Sequence, residues 1–358
     1  MFCYAVTENA KPLQRIELPT PEPTGTQVLV RVTHCGVCHS DLHLWEGGYD
    51  LGGGKRLSLK DRGVSLPMVM GHEILGVVAR LGPDARAAGL KEGTPYAVFP
   101  WLGCGACAEC LAEDDNMCRV KPNALGIYNP GGYGEYVLVP HPRHLVDISG
   151  LDPGVAATYS CSGITVWSAI AKVMPMPPDE PIVLIGAGGL GLNAIAVLRA
   201  QGHRAIIVVD VSEAKRKAAV EAGAASVVDG NGDPAEVARR ISEAAGGPVG
   251  AVIDLVNGSA TARAGFDALR KGGRLILVGL FGGELTVPLP FMPTRALTIR
   301  GSYVGNPKEL RELVRLAREG RVAPLPVRTR PIGDINAVLD DLLHGRVVGR
   351  VVVEQPAA

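Results

Sequence analysis

The sequence predicts an α/β protein of two domains: a mostly β domain first, then a parallel sheet with helices on both faces. Three observations carry this. Up to about residue 150, short β-branched runs such as QVLVRV (27–32), ILGVVARLG (74–82) and YGEYVLVP (133–140) are broken by Gly and Pro. That is the texture of an irregular β domain with long loops. From about residue 160, apolar strands alternate with Ala-rich helical stretches, which is the pattern of a doubly wound parallel sheet. A chain of 358 residues gives each domain enough material for its own core.

The elements of the second domain follow in order. PIVLIGAG (181–188) reads as strand and turn, and LGLNAIAVLRAQG (190–202) as the helix after it. AIIVVD (205–210) is the next strand and EAKRKAAVEAG (213–223) the next helix. AVIDLV (251–256), the helical ATARAGFDALRKGG (260–273) and the strand RLILVG (274–279) continue the alternation. LTIRGSYVG (297–305) reads as a strand at the end of the sheet. A charged helix, KELRELVRLAREG (308–320), another, INAVLDDLLHG (335–345), and a last strand, RVVVEQ (350–355), are expected to return to the first domain. The expected division is 1–158, with a small lobe at 100–120, then 159–304, then 305–358.

Composition excludes several classes. The chain has 36 basic and 36 acidic residues, a formal net charge of zero. Nothing in that balance attracts nucleic acid or an anionic membrane. The first residues lack a basic segment followed by an apolar one, so no secretory leader is expected. Pro181–Leu198 is uncharged and mostly apolar, but four glycines interrupt it. It reads as a buried strand–turn–helix rather than a membrane span. A cytoplasmic protein is the expectation.

Gly186-Ala187-Gly188-Gly189-Leu190-Gly191 fits G-x-G-x-x-G directly after a strand and at the start of a helix. In that context the pattern marks a dinucleotide site on a Rossmann-type domain, with the pyrophosphate at the helix N-terminus. Asp210 ends the next strand, at the spacing of an acid that accepts hydrogen bonds from the adenosine ribose. A carboxylate there repels a 2′-phosphate, which favours NAD over NADP. Lys215 and Arg216 follow within about one helical turn. They are read either as ribose contacts or as the solvated start of a helix.

Cys104, Cys107, Cys110 and Cys118 form a C-x2-C-x2-C-x7-C cluster. Four thiolates so close in sequence close a tetrahedral zinc shell, and four protein ligands leave no open position, so such a zinc is structural. Disulfides are the competing reading, and the absence of a leader weighs against them. Two other segments, GVCHSDLH (36–43) and GHE (71–73), carry ligand-type residues, and Cys161 lies in SCSGIT (160–165). Cys38, His72 and Cys161 would supply two thiolates and an imidazole to a catalytic zinc, but sequence spacing alone does not assemble them. Cys35 and Cys38 also form a C-x2-C, open to reading as a second small zinc site or a redox pair.

These motifs resemble, nearly end to end and in the same order, the zinc-dependent alcohol dehydrogenases of the medium-chain dehydrogenase/reductase superfamily. CSGIT, VGLFGG (278–283) and GSYVGN (301–306) look most like the tetrameric archaeal and bacterial NAD-dependent branch. The resemblance implies a GroES-like catalytic domain, two zinc ions per chain and NAD. It implies Cys38, His72 and Cys161 as the catalytic zinc ligands, with Glu73 behind the metal and Asp41 hydrogen-bonded to His72. Ser40 would contact the substrate oxygen and His43 would pass the proton to solvent. His39 and Arg350 match positions at the pyrophosphate, Thr165 the residue behind the nicotinamide, and Leu280 or Phe281 a neighbour of that ring. Trp45 and Trp101 would line an apolar pocket for a small apolar or aromatic alcohol or its carbonyl partner. A homo-oligomer, a tetramer by the same resemblance, is expected. Polyol, threonine and formaldehyde dehydrogenases share the frame and are the alternative activities. The segment 46–65, EGGYDLGGGKRLSLKDRGVS, is longer than in yeast-type enzymes. With three consecutive glycines it is expected to be a mobile rim of the pocket.

Overall fold

The structure, a computed structural model, describes residues 1–356. Two sheets organise it. At the centre of the first lies Val28–Val37, whose ten residues are mostly buried. A strand covered on both faces carries apolar side chains on both. It pairs antiparallel with Glu73–Leu81 on one side and with Arg350–Glu354 on the other, while Tyr136–Val139 pairs along its first half. Pro95–Val98 and Leu145–Asp147 extend the sheet, and Val327–Pro331 runs parallel to Arg350–Glu354. The last strand of the chain therefore sits beside one of the first.

The second sheet has six parallel strands. Their order is Ser226–Asp229, Ile206–Asp210, Ile182–Ile185, Val249–Asp254, Leu269–Leu277 and Thr298–Gly301. The first in sequence lies in the middle, and the chain winds outward to one side and then to the other. This is the Rossmann order, whose ligand crevice opens where the winding reverses. That point falls between Ile182–Ile185 and Val249–Asp254, both buried throughout. The join between the halves is the helix Ser162–Ala171, with eight of its ten residues buried. It packs on Gly189–Ala200, where Asn193 Nδ2 donates to Ser162 Oγ at 2.8 Å. Among the described residues no helix is long and apolar enough to cross a membrane.

The structure differs from the sequence reading in three places. The strand Ser226–Asp229 and the helix Pro234–Ala245 were not anticipated. The edge strand is only Thr298–Gly301: the Ser302 N–H makes the last ladder bond, to the Leu277 carbonyl, and Tyr303–Gly305 lie outside the sheet. The segment 46–65, for which no elements were expected from the sequence, contains regular structure. Gly48–Gly52 and Lys55–Ser58 form an antiparallel hairpin, followed by a 3-10 turn at Lys60–Arg62. Gly52, Gly53 and Gly54 have φ of +78°, +56° and +74°. They supply the left-handed residues of the turn, a conformation only glycine adopts without strain.

Candidate active site: a metal centre beside a dinucleotide crevice

Cys38 is the N-cap of the helix His39–Glu46. Ser40 N–H donates to Cys38 Sγ at 3.4 Å, and Cys38 N–H donates to Asp41 Oδ2 at 2.8 Å. A thiolate at a helix N-terminus is favoured by the free amides and the dipole there. His72 and Glu73 enter from the start of Glu73–Leu81, and Cys161 precedes the helix joining the halves. Three distant segments thus bring Cys38, His72 and Cys161 together, with one ligand atom of each within 4.8 Å of the others and all three buried.

These residues fit a zinc ion. His72 is fully buried, and neither ring nitrogen has a hydrogen-bond partner. Nδ1 faces Asp41 Oδ1 at 3.4 Å, which leaves Nε2 without a partner. Such a group is costly unless something binds it, and an orienting carboxylate behind the ring is the usual companion of a zinc-ligating histidine. The field at this point also favours a cation. Burial disfavours a charged His72, yet Asp41 and Cys38 outweigh it and hold the imidazole pKa well above its usual value. The Cys38 thiol is held well below its usual value, chiefly by a hydrogen bond from Cys161, with His72 and Arg350 adding. Three protein ligands leave a fourth position open.

Glu73 is fully buried and pairs with Arg350. Burial pushes its pKa up to about 7 against the opposing pull of Arg350. On its other side Arg350 abuts the glycine loop, where a Cβ on Gly189 would lie 2.1 Å from Arg350 Cδ. One guanidinium thus joins the metal centre to the crevice.

The crevice is shaped for a dinucleotide. Gly186 has φ +104°, a conformation that excludes other residues. A Cβ on Gly191 would lie 2.1 Å from the Gly186 carbonyl oxygen, so helix and loop pack without side chains. Gly188 faces open space and caps the helix Gly189–Ala200, with Leu190 half-buried in its first turn. Asp210 lies beside this loop and accepts from Ala187 N–H (2.7 Å) and Ser212 N–H (2.8 Å). Arg216 is committed elsewhere, donating to the Asp210 carbonyl (2.7 Å) and to Asp229 Oδ1 (3.0 Å). Lys215 is half-buried. Burial lowers the His39 pKa, and the Lys215 ammonium adds to that lowering. Thr165 is buried in the joining helix. Leu280 and Phe281 are exposed on the loop after Leu269–Leu277, which Phe281 N–H ties to the Val256 carbonyl.

The four-cysteine lobe is equally specific. Cys104–Cys110, Cys107–Cys110 and Cys107–Cys118 have Sγ–Sγ distances of 4.0, 3.5 and 3.8 Å. A disulfide requires about 2.05 Å, whereas a zinc–thiolate tetrahedron with bonds of about 2.3 Å has edges of about 3.8 Å. Amides of Cys104 and Lys121 donate to Cys118 Sγ, and those of Ala106 and Cys107 to Cys104 Sγ. The lobe also grips the chain at residues 303–308, where the nucleotide domain gives way to the returning segment. Asn116 Nδ2 donates to the Tyr303 carbonyl, Asn306 Nδ2 to Asp114 Oδ1, and Lys308 to the Ala112 carbonyl. Cys3 and Cys35 are buried and free, and Cys35 is outside the metal cluster.

One expected pocket residue is elsewhere. Trp45 donates its indole N–H to the Lys11 carbonyl at 2.6 Å and lines a groove with Pro12, Leu42 and Leu339. Helical geometry is the reason, since Leu42 and Trp45 share one face of His39–Glu46 while His39 and His43 share another. The aromatic beside His43 is Tyr49 of the hairpin, at 5.1 Å between rings. Trp101 does pack on His72 (5.4 Å), and Tyr303 packs on Trp101 (5.8 Å). Tyr49 and Tyr303 were not singled out in the sequence, though GSYVGN contains the latter. His43 is only 9 % exposed. Burial, reinforced by His39, lowers its pKa to about 4, which keeps the ring neutral at pH 7.

A three-ligand metal centre opening beside a Rossmann crevice, with a closed four-thiolate lobe nearby, defines the class of two-domain, metal-assisted dehydrogenases. Comparison with known proteins specifies the family. Residues 24–150 match the alcohol dehydrogenase GroES-like domain and residues 189–319 the zinc-binding dehydrogenase domain. The chain is 37 % identical over 355 residues to an NAD-dependent alcohol dehydrogenase of Sulfurisphaera tokodaii, covering 99 % of each chain. Its identity to an NAD-dependent alcohol dehydrogenase of Saccharolobus solfataricus is also 37 % over 99 % of each. The crystal structure of the alcohol dehydrogenase from Aeropyrum pernix superimposes with a TM-score of 0.88 at 31 % identity, over 99 % of this chain and 100 % of that one. The chain belongs to the zinc-binding alcohol dehydrogenase family.

Proposed function

We propose that this protein is an NAD-dependent zinc alcohol dehydrogenase holding two zinc ions per chain. The reaction is alcohol + NAD⁺ ⇌ aldehyde or ketone + NADH + H⁺. The observation that carries this is the buried trio Cys38, His72 and Cys161, with a partnerless imidazole nitrogen, set beside the glycine loop. Zinc held by the trio would supply Lewis acidity at the substrate oxygen, and the nicotinamide would accept the hydride. The chain's own groups do the rest. Ser40 hydrogen-bonds the substrate oxygen, and His43, one helical turn further, takes the proton outward. Asp41 fixes the His72 ring, and Glu73 with Arg350 backs the metal centre. His39, Thr165, Gly186, Gly188, Gly189, Leu190, Gly191, Asp210, Lys215, Leu280 and Arg350 hold the cofactor. Cys104, Cys107, Cys110 and Cys118 hold the structural zinc.

The chain divides into a catalytic domain at 1–158, a nucleotide domain at 159–304 and a returning segment at 305–358. It works as a homo-oligomer, a tetramer, in the cytoplasm on small aromatic or apolar alcohols. The deciding experiment is NADH formation over a panel of primary, secondary and aromatic alcohols and polyols, with NAD and NADP, for wild type and Cys38→Ser. Wild type oxidises simple alcohols with NAD, and Cys38→Ser is folded by circular dichroism but without measurable turnover. Oxidation of polyols alone, or full turnover by Cys38→Ser, overturns the proposal.

A further inference from the structure

Asp254 ends the strand Val249–Asp254, at the point where the winding of the parallel sheet reverses. Its side chain is fully buried, and Oδ1 accepts from the N–H groups of Val256 (3.0 Å) and Asn257 (2.7 Å). An aspartate that accepts from amides two and three residues further on folds the chain into a tight turn. Burial pushes its pKa up to about 6 against those two amides, so the fold keeps a carboxylate here at a cost in stability. Asn257 completes the turn with φ +59°, the left-handed region that asparagine tolerates better than most residues other than glycine.

This turn carries a second loop, 279–282. Val278 N–H and Gly279 N–H both donate to the Asp254 carbonyl (2.9 and 3.2 Å), Phe281 N–H to the Val256 carbonyl (3.1 Å) and Gly282 N–H to the Asn257 carbonyl (3.2 Å). Asn257 Nδ2 donates across to the Gly279 carbonyl at 2.8 Å. The contact is backbone on backbone, for a Cβ on Gly279 would lie 2.2 Å from the Val256 carbonyl oxygen. Together the turn and the loop span the crevice. At one end, Leu255 N–H donates to the Ile185 carbonyl (2.9 Å), and a Cβ on Gly186 would lie 2.9 Å from Val256 Cγ2, so the turn abuts the glycine loop. At the other end, a Cβ on Gly282 would lie 2.6 Å from the Asp50 carbonyl oxygen of the hairpin. The neighbouring Tyr49 packs on His43, on the helix that Cys38 caps. A dinucleotide with its pyrophosphate at the glycine loop and its nicotinamide at the metal centre runs along this wall.

We propose that Asp254 and Asn257 are positioning residues for hydride transfer: through their hydrogen bonds they hold the loop 279–282 against the nicotinamide end of the cofactor. They act on the rate rather than on affinity, because the glycine loop and Asp210 bind the cofactor from its other end. A misplacement of about 1 Å at the reacting atoms costs on the order of 100-fold in rate, so a wall braced at both ends of the crevice is what the reaction needs. The inference rests on the alcohol dehydrogenase reading.

The test measures two quantities in wild type, Asn257→Gly, Asp254→Asn and Asp254→Ala. One is the single-turnover rate of NADH formation from benzyl alcohol and from its α,α-dideuterated form; the other is the Kd of NADH by fluorescence. Asn257→Gly removes the bond to Gly279 and keeps the turn, since glycine adopts a positive φ without strain. Asp254→Asn keeps an accepting oxygen and changes only Oδ2, which has no hydrogen-bond partner. Asn257→Gly and Asp254→Ala slow the isotope-sensitive step about tenfold or more while the Kd of NADH stays within about threefold. Asp254→Asn reacts at the wild-type rate. If Asp254→Ala does not fold, Asn257→Gly, at a half-buried position, decides alone. An unaltered isotope-sensitive rate in Asn257→Gly, a Kd that rises in step with the loss of rate, or Asp254→Asn as slow as Asp254→Ala overturns the proposal. If wild type forms no NADH from benzyl alcohol or any other alcohol, the alcohol dehydrogenase reading has failed and this inference falls with it. Wild-type turnover with an undisturbed Asn257→Gly is failure of the positioning role alone.

Discussion

Asp210→Ser is the sharpest test of how the chain selects its cofactor. The Asp210 carboxylate accepts one backbone N–H at each oxygen, from Ala187 and Ser212. That holds it beside the glycine loop with lone pairs left for the ribose hydroxyls. A hydrogen bond to a charged group contributes about 1.5–3 kcal/mol, so the serine variant should bind NAD about 10- to 100-fold more weakly. The gain for NADP should be smaller. Removing one half-exposed charge a few ångströms from a 2′-phosphate relieves about 1 kcal/mol at high effective dielectric, less than tenfold. Arg216 cannot add to it while it is held by Asp229 Oδ1 and the Asp210 carbonyl. The Arg216–Asp229 pair is partly exposed, and such pairs contribute about 1 kcal/mol or less. Asp229→Asn should therefore free Arg216 at little cost in stability. In the double variant, the NADP gain should exceed the product of the single effects. The assay is kcat/KM for both cofactors with one alcohol, with direct NADH binding by fluorescence. An unchanged NAD affinity in Asp210→Ser, or a wild type that already prefers NADP, refutes the reasoning.

Two further predictions concern the lobe and the helix His39–Glu46. Cys107→Ser should reduce bound zinc from two ions to one by metal analysis and lower the melting temperature by several degrees, since the lobe anchors Tyr303, Asn306 and Lys308; two zincs retained with an unchanged melt would refute a structural metal. His43 has a folded pKa of about 4 against about 6.5 unfolded. As pH falls from 6.5 to 4, the unfolded chain takes up a proton that folded His43 refuses, and stability is lost across that window. His43→Gln should lose less there, by up to about 3 kcal/mol before solvent screening reduces it, in denaturant titrations at pH 7, 5.5 and 4.5. Parallel curves for the two proteins would show that the ring is not held neutral by its surroundings.

The parts of this molecule that were legible in the sequence are those whose physics is local. The four-cysteine lobe closes within sixteen residues (103–118), so spacing alone specifies its chemistry. The glycine loop is legible because strand, turn and helix are consecutive. The trio Cys38, His72 and Cys161 is not local. Its members come from a helix cap, a strand start and the joining helix, and only the tertiary fold brings them together; resemblance, not spacing, supplied that grouping. The hairpin in the 46–65 segment was not legible for another reason. Consecutive glycines are permissive, and permissiveness reads equally as mobility or as a tight turn. What decides is the pairing of Tyr49 with Leu57 and Asp50 with Arg56, together with the loop at Gly282–Glu284 that meets the hairpin, and those residues lie more than two hundred positions away. The placement of Trp45, by contrast, was recoverable. His39–Glu46 is a helix, each residue turns it about 100°, and Trp45 stands two residues beyond His43. The pair therefore points in nearly opposite directions, and a tryptophan directed away from His43 cannot line the same pocket. The aromatic beside His43 had to come from another element, and Tyr49 is the first aromatic residue after the helix.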